Sequence, residues 1–326
     1  MKAIIWMDYG PPDVLKLEER EKPRPKDNEV LIKIYATTVA MGDCEFRSLK
    51  LSFGLRILMR LVNGLTHPKR LTILGQEFAG EIESIGDKVT KFNKGDQIFG
   101  ATDFGMGAYA EYKCLPEDGA LALKPLNISF KQAAAIPVGG LNALYFLKKT
   151  DIQKTQKILI NGAGGSIGTI AVQLAKYYGA EVTAIDSTKK LDMLRSIGAD
   201  YVIDYTQEDF TERGETYDVI FDIVGKAPYS GCLKSLKKDG FLLLGNPKLS
   251  RVIRGKFSTQ KVIGGSAEYS TENLNSLKKL IDKKILKPVI DKVYSLDQIV
   301  DAHEYVESGQ KQGNVVIQVR NHPPDT

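Results

Sequence analysis

A chain of 326 residues, 43% hydrophobic and 26% charged, has the composition of a soluble globular protein, and it is longer than one hydrophobic core usually spans, so two domains are expected. The net charge of +5 is modest and acids are interspersed with bases nearly everywhere, which argues against a nucleic-acid binder. No apolar run is long enough to span a bilayer and no leader pattern opens the chain, so a cytoplasmic protein is expected.

The first third reads as short β-rich runs, "MKAIIW", "EVLIKIYATTVA", "FAGEIESIGDKV", "DQIFGAT" and "AYAEYKCL", broken by Gly, Pro and Asp turns. Between Arg47 and Arg70 lies an unusual insert in which Leu51, Leu55, Leu58, Val62 and Leu65 recur at helical spacing. Arg47, Lys50, Arg56, Arg60, Lys69 and Arg70 surround that stripe with no acid between them. The stripe is expected to pack on the domain or line a substrate cleft, and contact of residues 47–70 with an anionic membrane surface is the less favoured alternative.

After about residue 125 the rhythm changes to strands alternating with helices: "KILING", "IGTIAVQLAKYYG", "EVTAID", "LDMLRSIG", "YVIDY", "YDVIFDIVG", "PYSGCLKSL" and "GFLLLG". Apolar strands separated by amphipathic helices predict a doubly wound parallel sheet covered on both faces. Two helices follow, near "TENLNSLKKLIDKK" and "LDQIVDAHEYVESG", and the strand "NVVIQV" closes a tail expected to rejoin the first domain. The polar end "RNHPPDT" is expected to fray. The division is therefore 1–124 with 266–326 as a β-rich substrate domain, and 125–265 as a Rossmann domain.

Within "ILINGAGGSIGTIAVQLAK" a β-branched strand runs into a glycine cluster and an amphipathic helix runs out of it, the context a dinucleotide fingerprint requires. Ala163, Gly165 and Gly168 give an A-x-G-x-x-G spacing. The tight turn is expected at Ala163, backbone approach to a pyrophosphate at Gly165, and close helix-on-strand packing at Gly168. Amides from Ser166 through Ile167 to Gly168 would face the anion at the positive end of the helix. Asp186 closes the second strand, where an acid accepts ribose hydroxyls and disfavours an extra phosphate.

These motifs, with "GQEFAGEIESIGDKVTKFNKGDQIFG", "AAAIPVGGLNALYFL" and "GADYVIDY", resemble the medium-chain dehydrogenase/reductase superfamily, and within it the zinc-independent quinone oxidoreductase branch. The resemblance covers nearly the whole chain and implies a GroES-like N-terminal domain beside the Rossmann domain, with a cleft between them. At the zinc-ligand positions of metal-dependent members stand Ala40, Gln76 and Val138, and a Gln amide is a poor ligand. No metal is expected, and Cys44 and His67 are read as a buried apolar residue and a loop residue rather than ligands. Cys44, Cys114 and Cys232 form no CxxC pair and are expected to be reduced.

The resemblance implies NAD(P)H-dependent hydride transfer to a quinone or an α,β-unsaturated carbonyl, with NADP(H) favoured over NAD(H). Ser187, Thr188, Lys189, Lys190 and Tyr205 resemble the 2′-phosphate pocket of NADPH-using relatives, although Asp186 taken alone argues for NAD. Further cofactor contacts carried over are Asn142, Ile223, Gly225, Leu244, Gly245, Asn246 and Asn314. No acid–base residue stands out, and Asp43 and Gln76 are weak catalytic candidates. Asp43 and Arg47 match a D-x-x-x-R element, read first as a structural ion pair. A homodimer through "GFLLLG" near a sheet edge is expected, with a small apolar carbonyl or quinone as substrate. Two other readings stay open: a zinc-free alcohol or enoyl-thioester dehydrogenase, and a nucleotide-binding redox sensor with little catalysis.

Overall fold

The computed structural model describes residues 1–102, 105–246 and 249–321; beyond Asn321 the polar end lies outside the described residues. In chain order the elements are β1 (Lys2–Trp6), β2 (Leu15–Glu19), β3 (Glu29–Val39), α1 (Met41–Ser48), α2 (Phe53–Asn63), β4 (Glu77–Ile85), β5 (Gln97–Ala101), β6 (Tyr112–Pro116), β7 (Leu121–Leu123) and α3 (Phe130–Ala134). There follow α4 (Pro137–Lys148), β8 (Lys157–Asn161), α5 (Ser166–Tyr177), β9 (Glu181–Asp186), α6 (Leu191–Ser196), β10 (Tyr201–Asp204), β11 (Tyr217–Asp222), α7 (Tyr229–Lys234) and β12 (Leu236–Leu244). The chain closes with α8 (Leu249–Gly255), β13 (Lys261–Gly264), α9 (Thr271–Asp282), β14 (Ile290–Ser295), α10 (Ile299–Glu307) and β15 (Asn314–Gln318).

Two compact units result, one of residues 1–138, 269–282 and 288–326 and the other of 139–268 and 283–287. In the first, β3 is the organising strand. Its apolar run buries Val30, Ile32 and Ile34 against Phe78, Ile82 and Ile98, and it pairs antiparallel with β4, β6 and the C-terminal β15. The sheet order is β14-β15-β3-β4-β5-β7. The unit extends to Val138 instead of ending at 124, because Phe130 of α3 stacks on Tyr35 of β3 with ring centroids 4.6 Å apart.

The second unit is a six-stranded parallel sheet in the order β10-β9-β8-β11-β12-β13. Strands β8 and β11 lie side by side where the winding of the sheet reverses, and in open parallel sheets a ligand crevice forms at the carboxyl ends of such a pair. "GFLLLG" does not lie at the edge. It belongs to β12, which β13 covers through register pairs from Phe241–Lys261 to Leu244–Gly264, so β13 is the outer strand. The short β13 and α8 carry too little periodicity to be read from sequence.

The insert forms α2, but its stripe does not pack on the domain. Leu51 is half-buried, while Leu55, Leu58, Val62 and Leu65 are exposed. What anchors the helix is polar: buried Asn63 accepts the N–H groups of Arg70 and Leu71 and donates to the Leu71 carbonyl.

Candidate functional site: a glycine cradle and a buried acid cluster

The chain leaves β8 at Asn161 and turns at Gly162, whose φ of +83° is left-handed, so the tight turn sits there and not at Ala163. The amides of Gly162 and Ala163 both donate to Ile185 O of β9, pinning the loop between two strands. Helix α5 opens at Gly165 with no side-chain cap, so its first N–H groups have no partner within the helix. At Gly168 a Cβ would come 2.4 Å from Gly162 O and 2.5 Å from the Ala163 Cα, which is the close helix-to-turn packing expected. An uncapped, glycine-lined helix start is a fitting receptor for a pyrophosphate.

Asp186 behaves differently from a free ribose acceptor. It is buried, its Oδ2 accepts the Gly164 N–H at 2.8 Å, and its Oδ1 accepts the Ser187 N–H at 2.9 Å and lies 3.0 Å from Lys190 Nζ. Lys190, expected to meet a phosphate, is buried with its charge spent on this acid. The carboxylate thus props the glycine loop. Thr188 Oγ1 donates to Asp204, an acid that sequence reasoning passed over in "VIDY". The Tyr205 amide donates to Asp186 O, and the side chains of Tyr205 and Lys189 are both exposed.

At the carboxyl end of β11, buried Asp222 accepts from Asn161 Nδ2 and Gly225 N, both at 2.9 Å, and pairs with Arg251 at 3.3 Å. Burial raises its carboxyl above the ordinary range, with Asn161 opposing the shift. Its carbonyl accepts Gly245 N, and Ile223 N donates to Asn161 O. Ile223, Gly225, Leu244, Gly245 and Asn246 are therefore gathered at the ends of β11 and β12, and Asp222 and Arg251 are the organisers the sequence reading missed. Asn142 lies on α4 in the same unit; three residues earlier, a Cβ on Gly139 would meet Ser166 O at 2.7 Å, which sets that face of α4 against the cradle. Asn314 belongs to the first unit, where its buried amide donates to Val289 O at 3.1 Å.

The first unit holds a second constellation. Asp43, in the first turn of α1, accepts the Ala40 N–H at 2.9 Å and the Gln76 amide at 3.3 Å. Burial raises Asp43 to about 6, against those hydrogen bonds. Next to Gln76, Glu77 accepts from Thr38 Oγ1 and, at 2.7 Å, from the Val138 N–H, and burial raises it to about 7. The positions Ala40, Gln76 and Val138 are thus joined by two buried carboxyls.

The side chains at these positions do not form a zinc donor set, since Ala40 and Val138 offer no ligand atom. Among the described residues no group of three His, Cys, Asp or Glu side chains could hold a metal. Asp43 and Arg47 do not pair. The buried Arg47 guanidinium instead reaches Glu307 at 2.8 Å, His303 Nδ1 at 2.9 Å and Gly10 O at 3.1 Å. Cys44 lies buried 3.3 Å from His303 Nδ1, while His67 is exposed beside Thr66.

Two family models and many known proteins match this chain. Residues 26–125 match the alcohol dehydrogenase GroES-like domain and 197–317 the family described as zinc-binding dehydrogenase. A 2-methylene-furan-3-one reductase of Solanum lycopersicum is 35% identical across 97% of this chain and 79% of its own length. The quinone oxidoreductase from Coxiella burnetii superposes with a TM-score of 0.89 at 32% identity, covering 98% of this chain and 99% of its own. The Escherichia coli quinone oxidoreductase complexed with NADPH gives 0.85 at 28% identity, covering 98% and 100%.

Proposed function

As the chain belongs to the medium-chain dehydrogenase/reductase superfamily, among its quinone oxidoreductases and enone reductases, we propose that it reduces an apolar quinone or α,β-unsaturated carbonyl with NADPH and without a metal. The observation that carries the cofactor reading is the uncapped start of α5 behind the left-handed turn at Gly162. When bound, the nicotinamide supplies the hydride. The chain's own part is to fix the dinucleotide: the α5 amides hold the pyrophosphate, and the Asp186–Gly164 bond keeps the loop in the shape that receives it.

The preference for NADPH is supported by what Asp186 does not do. Its carboxylate is occupied by two amides and Lys190, so it neither grips the ribose hydroxyls nor presents a free charge against a phosphate. The bound NADPH in the E. coli relative points the same way. Reduction of an enone consumes a hydride at the β-carbon and a proton at the α-carbon. Positioning carries most of the rate in such a site, and the half-buried Gln76, oriented by the fully buried Asp43, is the proposed source of polar contact in the first unit. We extend the proposal to a homodimer formed through the outer strand β13.

The test is a panel of enones and quinones mixed with NADPH and, separately, NADH. Oxidation of NADPH by at least one class is expected. Binding of the cofactor with no turnover on any acceptor would favour the redox-sensor reading instead. Asp186→Asn keeps an acceptor for Gly164 but releases Lys190, so it is expected to tighten NADPH about fivefold and to leave NADH binding unchanged. A selective loss of NADH binding would show that Asp186 faces the ribose.

A further inference from the structure

Helix α2 stands out because almost nothing covers it. Phe53 is 71% exposed, Leu61 68% and Leu65 63%, with Leu55, Ile57, Leu58 and Val62 also open to solvent. At 100° per residue the helical ones, Phe53 to Val62, sweep one broad arc centred near Leu58 and Leu61, while Arg56, Arg60 and Asn63 share the remaining sector; Leu65 follows the helix end at Gly64. Asn63 is the buried anchor, so the apolar arc points away from the unit that carries it. The mounting is firm: Tyr9 donates its hydroxyl to Gly64 O at 2.8 Å, and Arg60 donates to Leu65 O at 3.0 Å and stacks over the Tyr9 ring. This face is built in advance and left without a partner among the described residues.

Its charge says what fits it. No acid occurs between Glu45 and Glu77. Arg56, Arg60, Lys69 and Arg70 have no acidic partner among the described residues, and Lys50 is three-quarters exposed with only Glu307 at 4.0 Å. A second copy of the same face would bring five or more like charges together, which opposes self-association through it. A surface of anionic lipid headgroups meets both demands, since the exposed Lys50, Lys69 and Arg70 flanking the helix can bind headgroups while the leucines enter the acyl boundary. We propose that α2 and the loop to Arg70 dock the protein on an anionic bilayer, the helix lying in the interface plane. The inference is independent of the catalytic reading.

The experiment is co-sedimentation of the full chain with vesicles of phosphatidylcholine alone and of phosphatidylcholine with phosphatidylglycerol, at low and high salt. Binding is expected only to the anionic vesicles and is expected to weaken as salt rises. Lys69→Gln, in the exposed loop after the helix, is expected to lower the partition coefficient about fivefold, and Leu58→Asp with Leu61→Asp by at least about tenfold, the fold being checked by circular dichroism. Should that double variant misfold, Leu61→Trp gives a second readout, because the sole native tryptophan, Trp6, is buried. A blue shift of its emission on anionic vesicles is expected. No binding at low salt, binding indifferent to the double variant, or a wild-type oligomer that the double variant dissociates without any vesicle binding would each overturn the proposal.

Discussion

Glu77 is the residue whose behaviour can be followed most directly through pH. Buried between Thr38 and the Val138 amide, its carboxyl sits at about 7 in the fold against an ordinary 4.5. The folded protein keeps that proton where the unfolded chain has released it, so this group makes stability fall as pH rises from about 4.5 to about 7. Glu77→Gln removes the titration. The melting temperature of the variant relative to the wild type is expected to be higher at pH above 7 than at pH below 5, and equal differences at both would contradict the buried, raised carboxyl. Gly164 offers a second test. A Cβ there would lie 2.5 Å from Lys190 Cδ and 2.9 Å from Asp186 Oδ2, so Gly164→Ala must part the pair that props the loop. Cofactor affinity is expected to fall by about 1–3 kcal/mol for NADPH and NADH alike, read by titration. The glycines were legible in the string "GAGGSIG", but the role of Asp186 was not, since a carboxylate's direction depends on which amide lies nearest in space. Arg47 shows the same thing: its match to a local D-x-x-x-R pattern suggested Asp43, while its partner Glu307 comes from the far end of the chain.

Among elements, α1 and α10 are joined by a single buried guanidinium. Arg47 supplies the contact from α1, and His303 and Glu307 receive it on α10. Burial holds His303 neutral, down to about 3, with the Arg47 charge adding to the effect, so its ring accepts Arg47 at Nδ1. Arg47→Met leaves the partly buried Glu307 with only the long contact to Lys50 at 4.0 Å, and leaves Gly10 O without its donor. A loss of about 3–5 kcal/mol in unfolding free energy is expected by denaturant titration, and Arg47→Lys is not expected to restore it, because one ammonium cannot reach three acceptors in a plane. Most strands of both sheets were readable from their apolar runs, the short β7 and β13 being the exceptions. What periodicity could not supply was which strand ends a sheet: β12 reads as a fine edge candidate, and only its pairing with the four-residue β13 shows otherwise. The α2 stripe was equally visible, yet whether a stripe is covered depends on neighbours distant in sequence.

For the whole molecule, the homodimer proposed through β13 is checked by light scattering at micromolar concentration. A species of twice the chain mass is expected, and Val262→Pro, which removes a donor from the strand, is expected to shift it toward monomer. The larger architecture was legible because its signals are long: a run of parallel strands with helices between them, and β-rich segments before and after. The exact point of division was not, since α3 goes with the first unit through the stacking of Phe130 on Tyr35, a contact no local pattern records.

The placement of β15 beside β3 has a consequence for biosynthesis. The second unit draws on residues 139–268 and 283–287 only, so its sheet can close while the chain is still being made. The first sheet cannot. Its central strand β3 emerges early but waits for Val315 to Gln318 to pair with Ala36 to Val39, so an edge of apolar strand stands open through most of translation. A nascent chain arrested before Asn314 is expected to show protease resistance across β8 to β13 and cleavage within β3, and full protection of β3 only after release from the ribosome.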